Sequence, residues 1–152
     1  MTDRSRIGHV TVPTTHVVDA WRVKLFCQTI GETDPVFHDP AAAARAGHPA
    51  CCVPPTFLKA LESEHQSGAA LMKLLDAPVS GVLHAVQSFE FDAPVYAGDR
   101  VEITRTVSDM IDKRGGAMTF IVIDSQFSVA GRLVGHAQQT IMVRNAAPGV
   151  PQ

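Results

Sequence analysis

The sequence predicts an α+β fold in which an antiparallel β-sheet wraps around one long α-helix. Two observations lead to this prediction: the second half of the chain contains four strand-like runs, and a helical pattern begins near Pro55. A sheet built from alternating strands has an apolar face that must be covered, and this helix is the available cover. The four runs are Val82–Phe91, Arg100–Met110, Ala117–Val129 and Leu133–Val143.

Turn-forming residues separate the strand-like runs. The turns fall at Ala97-Gly98-Asp99, at Lys113-Arg114-Gly115-Gly116 and at Ala130-Gly131. Apolar residues alternate within the runs, and glycine-containing turns between such runs are typical of β-hairpins. The sequence therefore predicts a meander of long antiparallel strands.

Two shorter helices are predicted ahead of the central one. Apolar residues recur at helical spacing from Val17 to Ile30, and Gly31 follows as a suitable C-cap. Farther along, Asp39 is a typical N-cap, Pro40 suits the first helical position and Gly47 suits the stop.

The central helix is expected to open at Pro55 or Thr56. Ser67-Gly68 interrupts the pattern at a cost on the order of 1 kcal/mol, so whether the helix runs unbroken to Asp76 stays open. The tail Asn145–Gln152, which contains two prolines and a glycine, is expected to be loose. The apolar positions of the helix are Phe57, Leu58, Leu61, Leu71, Met72, Leu74 and Leu75.

Length and composition exclude several classes of protein. The 152 residues fit a single domain, with a core from about residue 17 to residue 143, and the 45% hydrophobic content favours an oligomer. Thirteen basic against 15 acidic residues, with no basic run, argue against a nucleic-acid partner. Without an apolar leader or a run of about 18 apolar residues, we expect a cytoplasmic protein with no membrane span.

The segment from Ile30 to Phe57 combines acids, a histidine, prolines and a helix start, which suggests the edge of an active site. Asp34, His38 and Glu32 are its candidate acid–base groups. Each also has a simpler interpretation. An Asp before Pro, as at Asp34, is a common turn former whose carboxylate caps a backbone N–H, and His38 and Glu32 can be ordinary surface residues of the loop. The histidines and cysteines lack metal-ligand spacing, and we expect no metal site.

Three sequence segments together resemble those of a known family. They are the region from Ile30 to Ala46 with its two Asp-Pro pairs, then Val53-Pro54-Pro55-Thr56-Phe57, and finally Leu83 to Phe91 running into Ala93-Pro94-Val95-Tyr96-Ala97-Gly98-Asp99. In order and position they resemble the MaoC-like hydratases and dehydratases of the hot-dog fold, specifically their HadA-like, N-terminal type. The resemblance covers about Val17 to Val143.

The resemblance implies an (R)-specific hydratase of enoyl thioesters, or the reverse dehydratase, acting on coenzyme A or acyl carrier protein thioesters. Such chemistry requires a base for water, an acid for the α-carbon and donors for the thioester oxygen. It implies no cofactor, and assembly as a homodimer or as a heterodimer with another hot-dog subunit. It also implies acyl-chain or thioester contacts at Cys51, Cys52, Val53, Pro55, Thr56, Phe57 and His84.

The catalytic pair of the family is not matched directly. Aligning Asp34-Pro35 with the family's Asn-Pro puts Glu32 at the catalytic Asp position and Phe37 at the catalytic His position. A one-residue shift would pair Asp34 with His38 instead. Two alternatives therefore stay open beside a catalytic subunit: a catalytically silent acyl-binding subunit that works with a catalytic partner, and a hot-dog acyl-CoA thioesterase.

Overall fold

The computed structural model describes residues 3–65, 68–77 and 81–145, and its centre is a five-stranded antiparallel sheet. Among the described residues, no helix combines the length and the apolar character needed to cross a membrane. The strands are β1 (Thr14–Val17), β2 (Val82–Phe91), β3 (Arg100–Lys113), β4 (Met118–Val129) and β5 (Arg132–Arg144). The α-helices are α1 (Ala20–Ile30), α2 (Pro40–Arg45), α3 (Phe57–His65) and α4 (Gly68–Leu74), and short 3-10 turns span Arg4–Arg6 and Pro35–Phe37.

The order of strands in the sheet is β1-β3-β4-β5-β2. Strands β3, β4 and β5 form the predicted hairpins, but β2 pairs with β5 at the far edge, from Val82 opposite Val143 to Phe91 opposite Gly135. The prediction of a meander through all four runs is therefore wrong for β2. Alternation of side chains locates a strand but carries no information about which strand becomes its neighbour.

The first helix is shorter than predicted because its first residues belong to a strand. Val17 ends β1, which the sequence analysis missed, and α1 begins only at Ala20. Strand β1 has four residues and pairs with the start of β3, with His16 opposite Val101. So short an edge strand has too few residues for an alternating pattern to stand out. The predicted C-cap is confirmed, because Gly31 adopts the left-handed conformation with φ 73°.

Helices α3 and α4 lie where the single central helix was predicted. Helix α3 begins at Phe57, one residue after Thr56, and ends at His65, while α4 begins at Gly68. Residues 66 and 67 between them, where the helix pattern weakens, lie outside the described residues, as do residues 146–152 of the tail predicted to be loose.

The face of the sheet toward these helices, called the inner face, carries the core. Along β4 the buried residues are Thr119, Ile121, Ile123, Ser125 and Phe127, which alternate with more exposed ones. Two apolar clusters result. One joins α1 and the start of α3 to Phe127, and the other joins Leu71, Met72 and Leu75 near α4 to Ile121 and Ile123.

A buried polar layer lies between the two clusters. Its centre is Glu62 on α3, which is 3% exposed. The Oε1 atom of Glu62 lies 2.9 Å from Arg105 Nε and accepts a hydrogen bond of 2.5 Å from Ser125 Oγ. Lys59 Nζ donates to Glu62 Oε2 at 2.6 Å and to Gln139 at 2.8 Å. Burial lowers the pKa of Arg105 while the Glu62 carboxylate opposes that shift, and the layer ties α3 to β3, β4 and β5.

Asp39 caps α2 as predicted, and its removal is expected to be measurable. Its Oδ1 accepts the Ala41 N–H at 2.9 Å, so Asp39→Ala is expected to lower the free energy of unfolding by about 1 kcal/mol in a urea titration. Asp19→Ala is the matched control, because Asp19 stands at the N-cap of α1 but its side chain makes no capping bond within the described chain. Equal effects of the two substitutions would contradict a capping role for Asp39.

Candidate functional site

The loop between α1 and α2 begins with a helix C-cap. At the end of α1, Gly31 takes the left-handed conformation and the Glu32 N–H donates to the Cys27 carbonyl at 2.9 Å. This arrangement satisfies carbonyls at the helix end and turns the chain sharply. The loop of residues 32–39 then runs back toward the segment before α3, where the Val36 carbonyl accepts the Cys52 N–H.

Three carboxylates of this loop each accept a backbone N–H from two residues farther along. Glu32 accepts from Asp34 at 2.8 Å, Asp34 accepts from Val36 at 3.0 Å, and Asp39 accepts from Ala41. The simpler interpretation of Asp34 as a capping residue is thus confirmed. The Asp34 side chain lies at the surface, and one carboxylate oxygen is occupied within its own turn.

Main-chain hydrogen bonds bring three separate segments together beside this loop. The Cys52 N–H donates to the Val36 carbonyl at 3.1 Å, and the Val53 N–H donates to the Val95 carbonyl at 2.9 Å. On the other side, the Ala97 N–H donates to the Cys51 carbonyl at 2.9 Å. The loop, the segment before α3 and the segment after β2 therefore share one wall of the molecule.

An apolar cavity of about 400 Å³ opens between these segments. Five of the residues singled out in the sequence line it, namely Phe37, Cys52, Val53, Pro55 and Leu58. Sequence reasoning assigned no role to the opposite wall, although this wall lies in the third segment of the family resemblance. That wall is formed by Phe91, Asp92, Ala93, Pro94 and Val95.

A second, smaller cavity of about 230 Å³, here called the loop cavity, lies against α1. Glu32 and His38 both line it, together with Lys24, Cys27, Gln28 and Thr33. The Nδ1 atom of His38 is buried and has no hydrogen-bond partner in the described part of the chain. The consecutive residues Phe37 and His38 therefore line different cavities, the first apolar and the second polar.

The other candidate residues lie apart from the apolar cavity. Phe57 packs edge to face on Phe26, with ring centroids 5.3 Å apart, and Cys51 is buried. Thr56 is exposed at the N-terminal end of α3. His84 is exposed on β2, seven residues before Phe91 and so about 23 Å along the strand. Within one chain, the structure does not bring His84 to the loop.

The three cysteines are buried thiols with low intrinsic reactivity. Burial raises the pKa of Cys27, Cys51 and Cys52, and nearby acidic groups, Glu32, Asp39 and Asp34 respectively, raise it further. A thiol with a raised pKa carries less of the thiolate that acts as the nucleophile. The arrangement therefore disfavours catalysis by Cys51 or Cys52.

The buried thiols are expected to resist alkylation. At pH 8, iodoacetamide should modify them at least about 100-fold more slowly in the native protein than in urea, as followed by mass spectrometry. Because the thiol pKa values are higher in the folded protein than in the unfolded chain, the folded protein holds these thiol protons more tightly. The resulting stabilisation is present below the unfolded thiol pKa of about 8.5 and is lost as the pH rises above it. One thiol that reacts equally fast in both states would refute this assignment.

A carboxylate and an imidazole also meet at the rim of the apolar cavity. His136 Nε2 lies 3.5 Å from Asp92 Oδ2, and Asp92 lines the cavity. Both side chains are well exposed, and an exposed pair of this kind contributes little to stability. The pair is nevertheless the histidine–carboxylate contact that comes nearest to the cavity among the described residues.

Comparison with protein families gives a consistent result. The model of the FAS1-like, dehydratase domain region matches residues 5–137. A UPF0336 protein of Saccharopolyspora erythraea is 30% identical over 147 residues, which cover 95% of this chain and 93% of that protein.

Solved structures show the same fold. A chain of the HadBC (3R-hydroxyacyl-ACP dehydratase) complex of Mycobacterium tuberculosis matches with a TM-score of 0.79 at 24% identity, covering 90% of this chain and 96% of that one. The R-hydratase PhaJ1 of Pseudomonas aeruginosa matches with a TM-score of 0.69 at 21% identity, covering 96% and 90%. The expected hot-dog fold is confirmed, since both neighbours share this sheet and helix arrangement.

Proposed function

Because this chain belongs to the FAS1-like dehydratase family of MaoC-like hot-dog proteins, we propose that it is the acyl-binding subunit of an (R)-specific enoyl-thioester hydratase or 3-hydroxyacyl-thioester dehydratase. A partner hot-dog subunit supplies the catalytic Asp and His. In the hydration direction the partner's base takes a proton from water, the oxygen adds to the β-carbon, and a proton is delivered to the α-carbon.

The observation that carries this proposal is the position of Phe37. The resemblance places the catalytic histidine at this residue, and Phe37 lines the apolar cavity instead. A phenyl ring cannot transfer a proton, whereas it adds apolar surface to a site for an acyl chain. Asp34 lies at the surface and caps its own turn, which argues against its acting as the base.

The apolar cavity has the size and lining that an acyl chain requires. At about 30 Å³ per non-hydrogen atom, the volume of a water in the liquid, 400 Å³ holds about a dozen atoms. The N-terminal end of α3 lies beside it, with Pro55 in the cavity wall and Thr56 exposed. Backbone N–H groups at a helix N-terminus favour negative charge, as on a thioester oxygen during the reaction.

The partner is expected at the free edge of β2. This strand is the last in the described sheet, so no described strand pairs with its outer edge, and Phe91 at its end is 45% exposed. The unpaired N–H and C=O groups of an open edge strand are a template for pairing with another chain. The neighbour HadBC is itself a complex of two proteins, which supports a heterodimer here.

A second candidate is a subunit that is catalytic alone, through Asp34, His38 or Glu32. Glu32 and His38 sharing the loop cavity is the observation that favours it. At about 230 Å³ and with a polar lining, that cavity suits a small polar group better than an acyl chain. This candidate therefore ranks below the acyl-binding subunit.

The purified chain is expected to show no hydration of crotonyl-CoA until a catalytic hot-dog partner is added. In the complex, Asp34→Asn and His38→Ala should each leave turnover within about threefold, because these side chains lie outside the reaction centre. Turnover is followed by loss of enoyl absorbance, with His136→Ala included to examine the pair at the cavity rim.

Two results would contradict the acyl-binding subunit. Turnover by the chain alone that is lost in Asp34→Asn or His38→Ala would make this subunit catalytic. Release of free coenzyme A thiol, detected with a thiol reagent, would instead identify a thioesterase.

A further inference from the structure

The face of the sheet turned away from α3 and α4, called the outer face, is divided by strand register into rows of side chains. Ile111, Phe120, Met142 and Leu83 stand opposite one another on β3, β4, β5 and β2. The next row along the strands contains Asp109, Val122, Thr140 and Val86. Directly opposed side chains on one face of a sheet are in contact range, so these residues form one surface.

This surface is apolar at one end and polar at the other. The apolar end, here called the outer patch, comprises Leu83, Val86, Ile111, Met118, Phe120 and Val122, with the buried Met142 between Phe120 and Leu83. Leu83, Val86 and Ile111 are 52%, 58% and 39% exposed. Farther along the strands, the same face carries Thr106, Asp124, Gln138 and Ser88 in one row. A contiguous apolar patch with a polar border is typical of a protein interface.

Charges border the outer patch unequally. On one side, Met118 of β4 is flanked by Lys113 of β3 and Arg144 of β5. On the other side, Asp124 stands three rows away on β4, and a second, exposed carboxylate, Asp109, lies nearer, in the row of Val122 at the β3 margin. A two-fold axis lying across the strands at the level of Ile121 exchanges the row of Met118 with the row of Asp124, and the row of Phe120 with the row of Val122. It therefore places Asp124 of one copy between Lys113 and Arg144 of another.

We propose that the outer patch is the interface for a second copy of this chain, packed sheet on sheet about this two-fold axis. Phe120 of one copy then lies over Val122 of the other, and each Asp124 meets two basic side chains. Asp109 lies over Ile111 of the other copy at the β3 margin of the contact, where its exposed carboxylate stays in water. Two sheets pack face to face about 10 Å apart, a gap that Lys and Arg side chains span. The contact goes beyond the proposed function, because it joins two acyl-binding subunits and leaves the β2 edge free for the catalytic partner.

The size of the surface predicts a modest affinity. Four rows on four strands occupy about 500 Å² on each copy, at about 4.8 Å between strands and 3.4 Å per residue. The total of about 1,000 Å² is at the lower limit for a specific interface. The association should therefore be reversible and dependent on concentration. It should double the mass of the chain alone, and also that of the complex with the catalytic partner at the β2 edge.

A charge exchange tests the proposed axis. In Asp124→Arg, and separately in Lys113→Asp/Arg144→Asp, each copy repels another copy of itself, and the dissociation constant should rise at least about tenfold. An equimolar mixture of the two variants restores both contacts and should recover the doubled mass. Masses are measured by sedimentation equilibrium on the chain alone and on the complex with its partner.

An apolar test uses one strand and one face. Val122→Glu should halve the mass at concentrations where the unmodified protein is doubled, whereas Gln126→Glu, two rows farther along β4, should leave it doubled. Circular dichroism checks that each variant is folded.

Two outcomes would overturn the proposal. A mass that none of these variants changes would show that no second copy covers the patch. A mass that falls in the charge variants and is not recovered in their mixture would assign the patch to another occupant, either the catalytic partner or an acyl carrier protein.

Discussion

Glu62→Ala is expected to lower the free energy of unfolding by about 3–5 kcal/mol, the largest effect of any single substitution considered for this protein. The substitution leaves Arg105, whose side chain is only 7% exposed, with a buried charge that has lost its carboxylate. It also removes the acceptor for Ser125 Oγ and for Lys59 Nζ. For a chain of this length the midpoint of thermal unfolding should fall by about 10 °C.

The control for this effect lies on the same helix. Glu64→Ala removes a partly exposed carboxylate that pairs with Arg22 and lies 3.8 Å from His16 Nδ1, and it should cost less than about 1 kcal/mol. The double variant Glu62→Met/Arg105→Leu should recover most of the lost stability, because removing both charges leaves neither one unpaired. Urea titrations that place Glu62→Ala within 1 kcal/mol of the unmodified protein would contradict this account of the polar layer.

Phe37→Asp is expected to reduce kcat/KM for a long-chain enoyl thioester at least about 100-fold in the complex with the catalytic partner. Each methylene that leaves water for an apolar site contributes about 0.8 kcal/mol, and a carboxylate in the cavity wall opposes that transfer. Crotonyl-CoA has too short a chain to use much of the cavity, so its turnover should change by no more than about threefold. The measurement is the ratio of kcat/KM for the long-chain thioester to kcat/KM for crotonyl-CoA.

Neighbouring variants separate binding from folding. Phe37 belongs to the partly buried residues packed on the core, so Phe37→Leu is included as a variant that keeps an apolar side chain and should lose about tenfold or less. His38→Ala alters the adjacent residue, which lines the loop cavity, and should leave the ratio unchanged. If Phe37→Asp reduced turnover of both chain lengths equally, the apolar cavity would not be the acyl site.

Local patterns predicted the elements better than their arrangement. Alternation located β2 at Val82–Phe91, and Asp39-Pro40 located the start of α2, because both depend on a few consecutive residues. The neighbour of β2 could not be predicted, since pairing with β5 depends on contacts between distant residues. Cys52, Val53 and Pro55 were predicted to contact the substrate, and they line the apolar cavity. Phe91 to Val95 line it too but were assigned no role, because the position of β2 beside β5 brings them there.

The polar layer shows a different limit of sequence patterns. Glu62 and Arg105 are 43 residues apart, and each is a charged residue within an otherwise amphipathic element. Either one alone would be assigned to the protein surface by its type. Only the packing of α3 on β3 brings the two charges together inside the protein.

The same polar layer divides the hydrophobic core into the two apolar clusters, here called the two interiors, which can evolve separately. The apolar cluster beside the cavity includes Val53 and Leu58, and within the described ranges the cluster near α4 shares no buried residue with it. Substitutions that do not share contacts add almost independently in their effects on stability. A lineage could therefore adapt the first interior to acyl chains of another length while the second, together with the β3–β4–β5 hairpins, continues to maintain the fold.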